Sequence, residues 1–293
     1  MIEQPLSGVP AWVDWLDGQS LPLLAPIRAA LPRLLAREAD VHAVTNLAYR
    51  DALLAAGLWS LLPPVRRQNK AGDLSTLERV VLMTGIDTVL QACLKRPILP
   101  DLLGQQRAAL SWAHLLLQRS RLATVCAELL AKQRHDIDAH EVMTAALLRD
   151  LVEILLTIHA PKLVGRIVAL QRNDSQLRSG MAQKMVFGFP FVELQLALVE
   201  HWHLPAVLLQ LMDERHANVP RVRTVATAVA FARHVTRGWH DTALPSDYQQ
   251  IADLCRIPAD AAYRLAQSAA IRAARDWRWY GIAPPAAMLP ALS

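Results

Sequence analysis

Apolar residues recur three and four positions apart through most of this chain, and two stretches carry the pattern longest. Between Gln106 and Lys132, the residues Ala109, Leu110, Ala113, Leu116, Leu117, Ala123, Cys126, Leu129 and Leu130 fall at helical spacing. Glu141–Ile158 repeats the pattern after a polar turn, Gln133–His140. The rest of the molecule is expected to be organised around this pair of helices. No strand-like alternation and no βαβ spacing interrupts the pattern, so the expected fold is all-α.

On the N-terminal side, Pro22, Pro26 and Pro32 divide the first stretch into short helices or turns, with Trp12 and Trp15 on one face. Asp40–Ala56 reads as one helix, and Gly57 and Pro63-Pro64 close the segment after it. A polar connector, Arg66–Asp73, follows, and Ser75 stands as an N-cap with Glu78 at capping-box spacing. Beyond the central pair, helical periodicity returns in Lys162–Leu170. After the aromatic turn Phe187-Gly-Phe-Pro-Phe191 it resumes in Val192–Trp202, then from Pro205 to about His216, after Arg223, and from Pro258 to Trp277. The expectation is a bundle of about a dozen helices. It divides into an N-terminal helical subdomain, residues 1–104, and a helical core with a C-terminal extension, residues 105–293.

Composition sharpens this picture in two respects. Of 293 residues, 53% are hydrophobic and 19% charged, which suits densely packed helices and excludes disorder over most of the chain. The net charge of +5 comes from basic residues scattered among acidic ones, so it fits an anionic partner without singling out nucleic acid. Cys93, Cys126 and Cys255 are odd in number and widely spaced in apolar surroundings, as expected of reduced, buried thiols in a cytoplasmic protein. No basic segment precedes an apolar run at the start, and Glu153, Glu193 and Glu200 interrupt the long apolar runs, so neither a secretory signal nor a membrane span is expected.

Two features inside the central pair are chemical rather than merely apolar, Trp112-Ala-His114 and Arg149-Asp150. The chain has no glycine-rich phosphate loop, Cys-x-x-Cys pair or nucleophile elbow. A metal phosphohydrolase core needs imidazole nitrogens and carboxylate oxygens converging from separate helices. Here an arginine precedes the aspartate, and a guanidinium has no lone pair to offer a cation. His114 and Asp150 alone leave too few ligands. The expectation is therefore that His114 packs or caps within the bundle and that Asp150 pairs with a basic side chain.

The order of these features resembles the HDOD domain, the HD-related output domain of bacterial signalling proteins. The resemblance runs from about Leu21 to Val219. It is carried by Leu31-Pro32 with Asp40–Leu47, Leu74–Gly85, Trp112-Ala-His114, Ala146-Leu-Leu-Arg-Asp150, Phe187-Gly-Phe-Pro-Phe191, Glu200-His-Trp-His-Leu-Pro205 and Arg215-His216. It implies an HDOD-like bundle with a degenerate HD-type site at His114, Arg149, Asp150, Phe191 and His216. Arg149 and Phe191 stand where HD-type proteins carry histidines. What the resemblance implies is thus a signalling or scaffold protein that needs no metal or other cofactor and acts on a protein partner. A nucleotide is the second ligand class, and Trp202, Trp239, Trp277, Trp279 and Tyr280 are candidate interface residues. The alternative is a residual metal-dependent phosphohydrolase acting on a phosphoester or cyclic dinucleotide, with His201, His203 or His216 recruited as ligands. Nucleic-acid binding through the basic loops ranks third, because no recognition helix stands out.

Overall fold

Short helices make up the N-terminal part: α1 (Gly8–Asp17), α2 (Ala25–Ala36), α3 (Val41–Ala48), α4 (Ala52–Ser60), α5 (Leu77–Thr84), α6 (Ile86–Leu94) and α7 (Leu99–Leu103). The computed structural model describes residues 2–36, 39–62, 74–174 and 176–289, so Pro63-Pro64 and the Arg66–Asp73 connector lie outside the described residues. Among the described residues the fold is all-α, the only β-type pairing being an isolated bridge between Leu23 and Ile98.

Asp40–Ala56 is two helices rather than one, because Asp51 caps the second of them. Its Oδ1 accepts the amides of Leu53 at 2.9 Å and Leu54 at 3.2 Å, while Oδ2 accepts that of Leu24 at 3.1 Å. A side chain that satisfies three backbone donors in the interior fixes the chain's direction there. Gly57 does not end the segment but lies inside α4, where a Cβ would come within 2.5 Å of the Arg96 guanidinium. That guanidinium has little freedom to yield, since it donates to the carbonyls of Leu21 and Leu53. Pro32 is accommodated within α2, and the cap of α5 is Thr76, one residue beyond Ser75.

The centre is α8 (Arg107–Lys132), close to the span its periodicity predicts. Then come α9 (Ala139–Leu148), α10 (Leu151–His159), α11 (Pro161–Asn173), α12 (Ser179–Phe187), α13 (Phe191–His201), α14 (Ala206–Met212), α15 (Pro220–Arg237), α16 (Leu244–Cys255), α17 (Ala259–Ala274) and α18 (Trp277–Tyr280). Helix α8 packs against α9, α10, α15 and α17. Its Ala113, Ser120, Ala123, Thr124 and Ala127 are buried, and so are Thr224, Thr227, Ala228 and Ala232 of α15. Small residues on both helices let their backbones approach closely. Buried side chains from Trp12 to Tyr280 form one contiguous apolar cluster, and all three cysteines are free and buried.

An aromatic group ties α1 to this body. The Trp12 ring lies 5.3 Å from Phe187, which meets Phe191 edge-on at 5.1 Å, and Trp15 meets the His159 ring at 5.7 Å. Burial pushes the His159 imidazole down to about 4. A base whose folded pKa lies below its unfolded value of about 6.5 stabilises the fold fully above that value and progressively less as pH falls towards 4. Between those limits His159 should withdraw roughly 3 kcal/mol of stability. Urea unfolding from pH 7 to 4 should show this slope, and His159→Phe should flatten it. An identical slope in the variant would remove His159 as its cause.

The C-terminal segment returns to the body through two polar tips. Tyr280 Oη donates to the Arg50 carbonyl at 2.8 Å, and Trp239 Nε1 donates to that of Pro285 at 2.8 Å. Tyr280→Phe should cost about 1 kcal/mol in urea unfolding, because it leaves a carbonyl without its donor and the ring packing intact. A loss several times larger would mean that the hydroxyl does more than this bond.

Candidate functional site

The predicted second long helix is broken at Arg149-Asp150, between α9 and α10. In an unbroken helix the Val152 amide would donate to the Leu148 carbonyl. Instead the Gln195 side chain, reaching over from α13, stands between them. Its Oε1 accepts from Val152 at 2.9 Å and its Nε2 donates to Leu148 at 3.0 Å. A fully buried side-chain amide thus replaces one rung of the helix, and the chain can turn aside to place Asp150.

Both oxygens of Asp150 are held by guanidinium groups. Arg119 Nη2 lies 2.6 Å from Oδ2, and Arg233 Nη2 lies 3.2 Å from Oδ1. Arg119 Nη2 also holds Glu153, at 2.6 Å. Arg149 turns outward to Glu214 at 2.7 Å. Burial opposes ionisation of Asp150, yet Arg119, Arg233 and Arg149 together hold its carboxyl well below the usual carboxylate range. For Arg119 burial likewise favours the neutral form, but Glu153 and Asp150 outweigh it and raise its pKa. The result is a charged network spanning α8, α10 and α15, buried at Arg119 and Asp150 and half-buried at Glu153 and Arg233.

These residues line a cavity of about 560 Å³. Trp112, Leu115 and Arg119 reach it from α8, Val164 and Arg172 from α11, and Arg233 and Arg237 from α15. The starts of α10, α12 and α13 complete it, with Phe191 at the junction of the cavity and the aromatic group.

A metal ion does not fit this donor set. The lone pairs of Asp150 face two guanidiniums, Glu153 is held by one of the same pair, and Arg149 has no lone pair to contribute. Among the described residues no three His, Cys, Asp or Glu side chains are grouped to hold a cation.

Of the five residues expected at a degenerate site, Arg149, Asp150 and Phe191 line the cavity and the two histidines do not. His114 is half-buried, its imidazole shifted down by burial, and it sits two residues from Trp112, on another face of α8. His216 is exposed in the turn after α14, 3.7 Å from Asp213. His201 faces Asp17 at 3.5 Å, and His203 holds a left-handed backbone conformation in the turn before α14. Among the candidate interface aromatics, Trp239 and Tyr280 are buried, Trp202 donates to Asp17, and Trp279 lies under the Arg50 guanidinium. Trp277 is the exposed one of these five, at 47%, with the Arg278 guanidinium over its ring.

Arg119, Glu153, Gln195 and Arg233 were not singled out from the sequence. For two of them a local signal exists: Trp112, Leu115 and Arg119 follow one face of α8, and Asp150 and Glu153 share one turn. Arg233 lies 83 residues from its partner Asp150, and Gln195 lies 43 from Val152, so no local pattern points to either.

A family model described as the HDOD domain matches residues 21–218. Among solved structures, the chain is similar to the MmoQ response regulator from Methylococcus capsulatus str. Bath, at 17% identity over 85% of this chain and 98% of that one, with a TM-score of 0.64. It is also similar to a virulence factor from Campylobacter jejuni subsp. jejuni, at 14% identity over 91% of this chain and 100% of that one, with a TM-score of 0.63. At such identities the likeness is one of fold. No curated protein matches the sequence.

Proposed function

Because the chain belongs to the HDOD domain family, relatives of the HD phosphohydrolases, we propose that it is a non-catalytic signalling or scaffold module working through contacts with a protein partner. The observation that carries this reading is the double engagement of Asp150 by Arg119 and Arg233. Two fixed positive charges now serve as the counterions that a metal would have supplied, and neither can activate water as a Lewis acid. Helix α12 borders the cavity and presents Met181 and Met185, 56% and 61% exposed, one turn apart. Exposed methionines at that spacing suit an adaptable protein contact. A signalling role also accords with the response-regulator name of the Methylococcus neighbour.

The test is a phosphoesterase assay with a generic aryl phosphodiester and monoester, with Mn²⁺, Fe²⁺ or Mg²⁺ added in turn. The native chain and Asp150→Asn should both give rates equal to the protein-free control. Metal-dependent turnover in the native chain that disappears in Asp150→Asn would overturn the reading.

A further inference from the structure

The geometry points to a binding site for a small phosphate-bearing ligand of mononucleotide size, held by guanidinium groups in the cavity beside Asp150. This inference rests on the metal-free reading of the same site and goes beyond it in assigning the cavity a ligand.

Charge carries the argument first. Five guanidiniums line the cavity, from Arg119, Arg149, Arg172, Arg233 and Arg237, against the three carboxylates of Asp150, Glu153 and Glu214. The carboxylates are committed to Arg119, Arg149 and Arg233. That leaves Arg172 with no ion-pair partner among the described residues and Arg237 with only a 3.8 Å approach to Asp241. Two largely uncommitted guanidiniums, on α11 and α15, therefore border the same partly open cavity. A guanidinium fork matches the oxygens of a phosphate.

The interior supplies the second observation. Arg119 is only 8% exposed, and its Nε is buried without a hydrogen-bond partner. That donor is closed off from solvent, so Arg119 acts on the cavity it lines through its charge rather than through this atom. The first turn of α12, at Ser179 and Gly180, opens on the same space with no side-chain cap, so the positive end of its dipole adds to the field.

Shape limits the ligand. A volume of about 560 Å³ exceeds what a bare phosphate fills and matches a mononucleotide. Trp112 and Phe191 line the same cavity and offer apolar surface to a planar base.

The test is calorimetric titration of the full chain with inorganic phosphate and with AMP, in EDTA and at low salt. Both should bind, AMP more tightly, with affinity falling as salt is added. The double variant Arg172→Ala, Arg237→Ala removes two exposed side chains and should keep the native melting temperature. It should weaken both ligands by about tenfold or more. Absence of binding in EDTA, or binding untouched by the double variant, would overturn the assignment. Equal affinity for phosphate and AMP would overturn the nucleotide-sized ligand. Binding that needs added Mn²⁺ and leads to hydrolysis would overturn the metal-free reading itself, which separates the two failures.

Discussion

Asp150→Ala is expected to lower the unfolding free energy by about 3 kcal/mol or more, because it removes one partner from a buried charged network. Arg233 would lose its carboxylate and Arg119 would keep only Glu153, leaving positive charge in the interior with less compensation. The carboxyl is held below its ordinary range, so its stabilising effect is present at neutral pH and is lost as pH falls through that lowered value. The deficit of the variant should therefore narrow in acid. A quadruple replacement, Arg119→Met, Arg233→Met, Asp150→Leu and Glu153→Gln, removes the charges together and should cost less than Asp150→Ala alone. Urea unfolding of the three proteins decides the matter, and a single variant as stable as the native chain would show that the network contributes nothing.

Gln195→Leu should cost roughly 2–5 kcal/mol, since it strips a buried acceptor from the Val152 amide and a buried donor from the Leu148 carbonyl. Leucine preserves most of the volume, so the loss reports the two hydrogen bonds rather than a cavity. The amide of Val152 should also exchange faster with solvent deuterium in the variant. If instead exchange at Val152 is unchanged and stability is native, α9 and α10 have rejoined through the direct Val152–Leu148 bond, and Gln195 is not what holds the break open.

These two residues also mark how far the sequence could be read. Periodicity located α8 almost to the residue because its buried side recurs over many turns, and the ordered landmarks from Leu31-Pro32 to Arg215-His216 identified the family. The same periodicity ran straight through Arg149-Asp150, since Leu148 and Leu151 both continue the apolar pattern while the break depends on an amide from another helix. Asp51 was missed for a related reason: its three donors include one from Leu24, far back in the chain. The site was legible only as far as Arg149, Asp150 and Phe191, which meet at one cavity. It was illegible where a partner arrives by tertiary packing, as with Arg233 on Asp150. The aromatics could not be sorted by sequence at all, because Tyr280 and Trp277 are neighbours with opposite exposure.

The central claim is that guanidinium groups have taken the place of a metal at Asp150. It is tested most directly by elemental analysis of native protein purified without a chelator or a metal-affinity tag. The account predicts clearly substoichiometric transition metal, unchanged in Asp150→Ala. One or more tightly held Mn or Fe ions per chain, lost in Asp150→Ala, would contradict it.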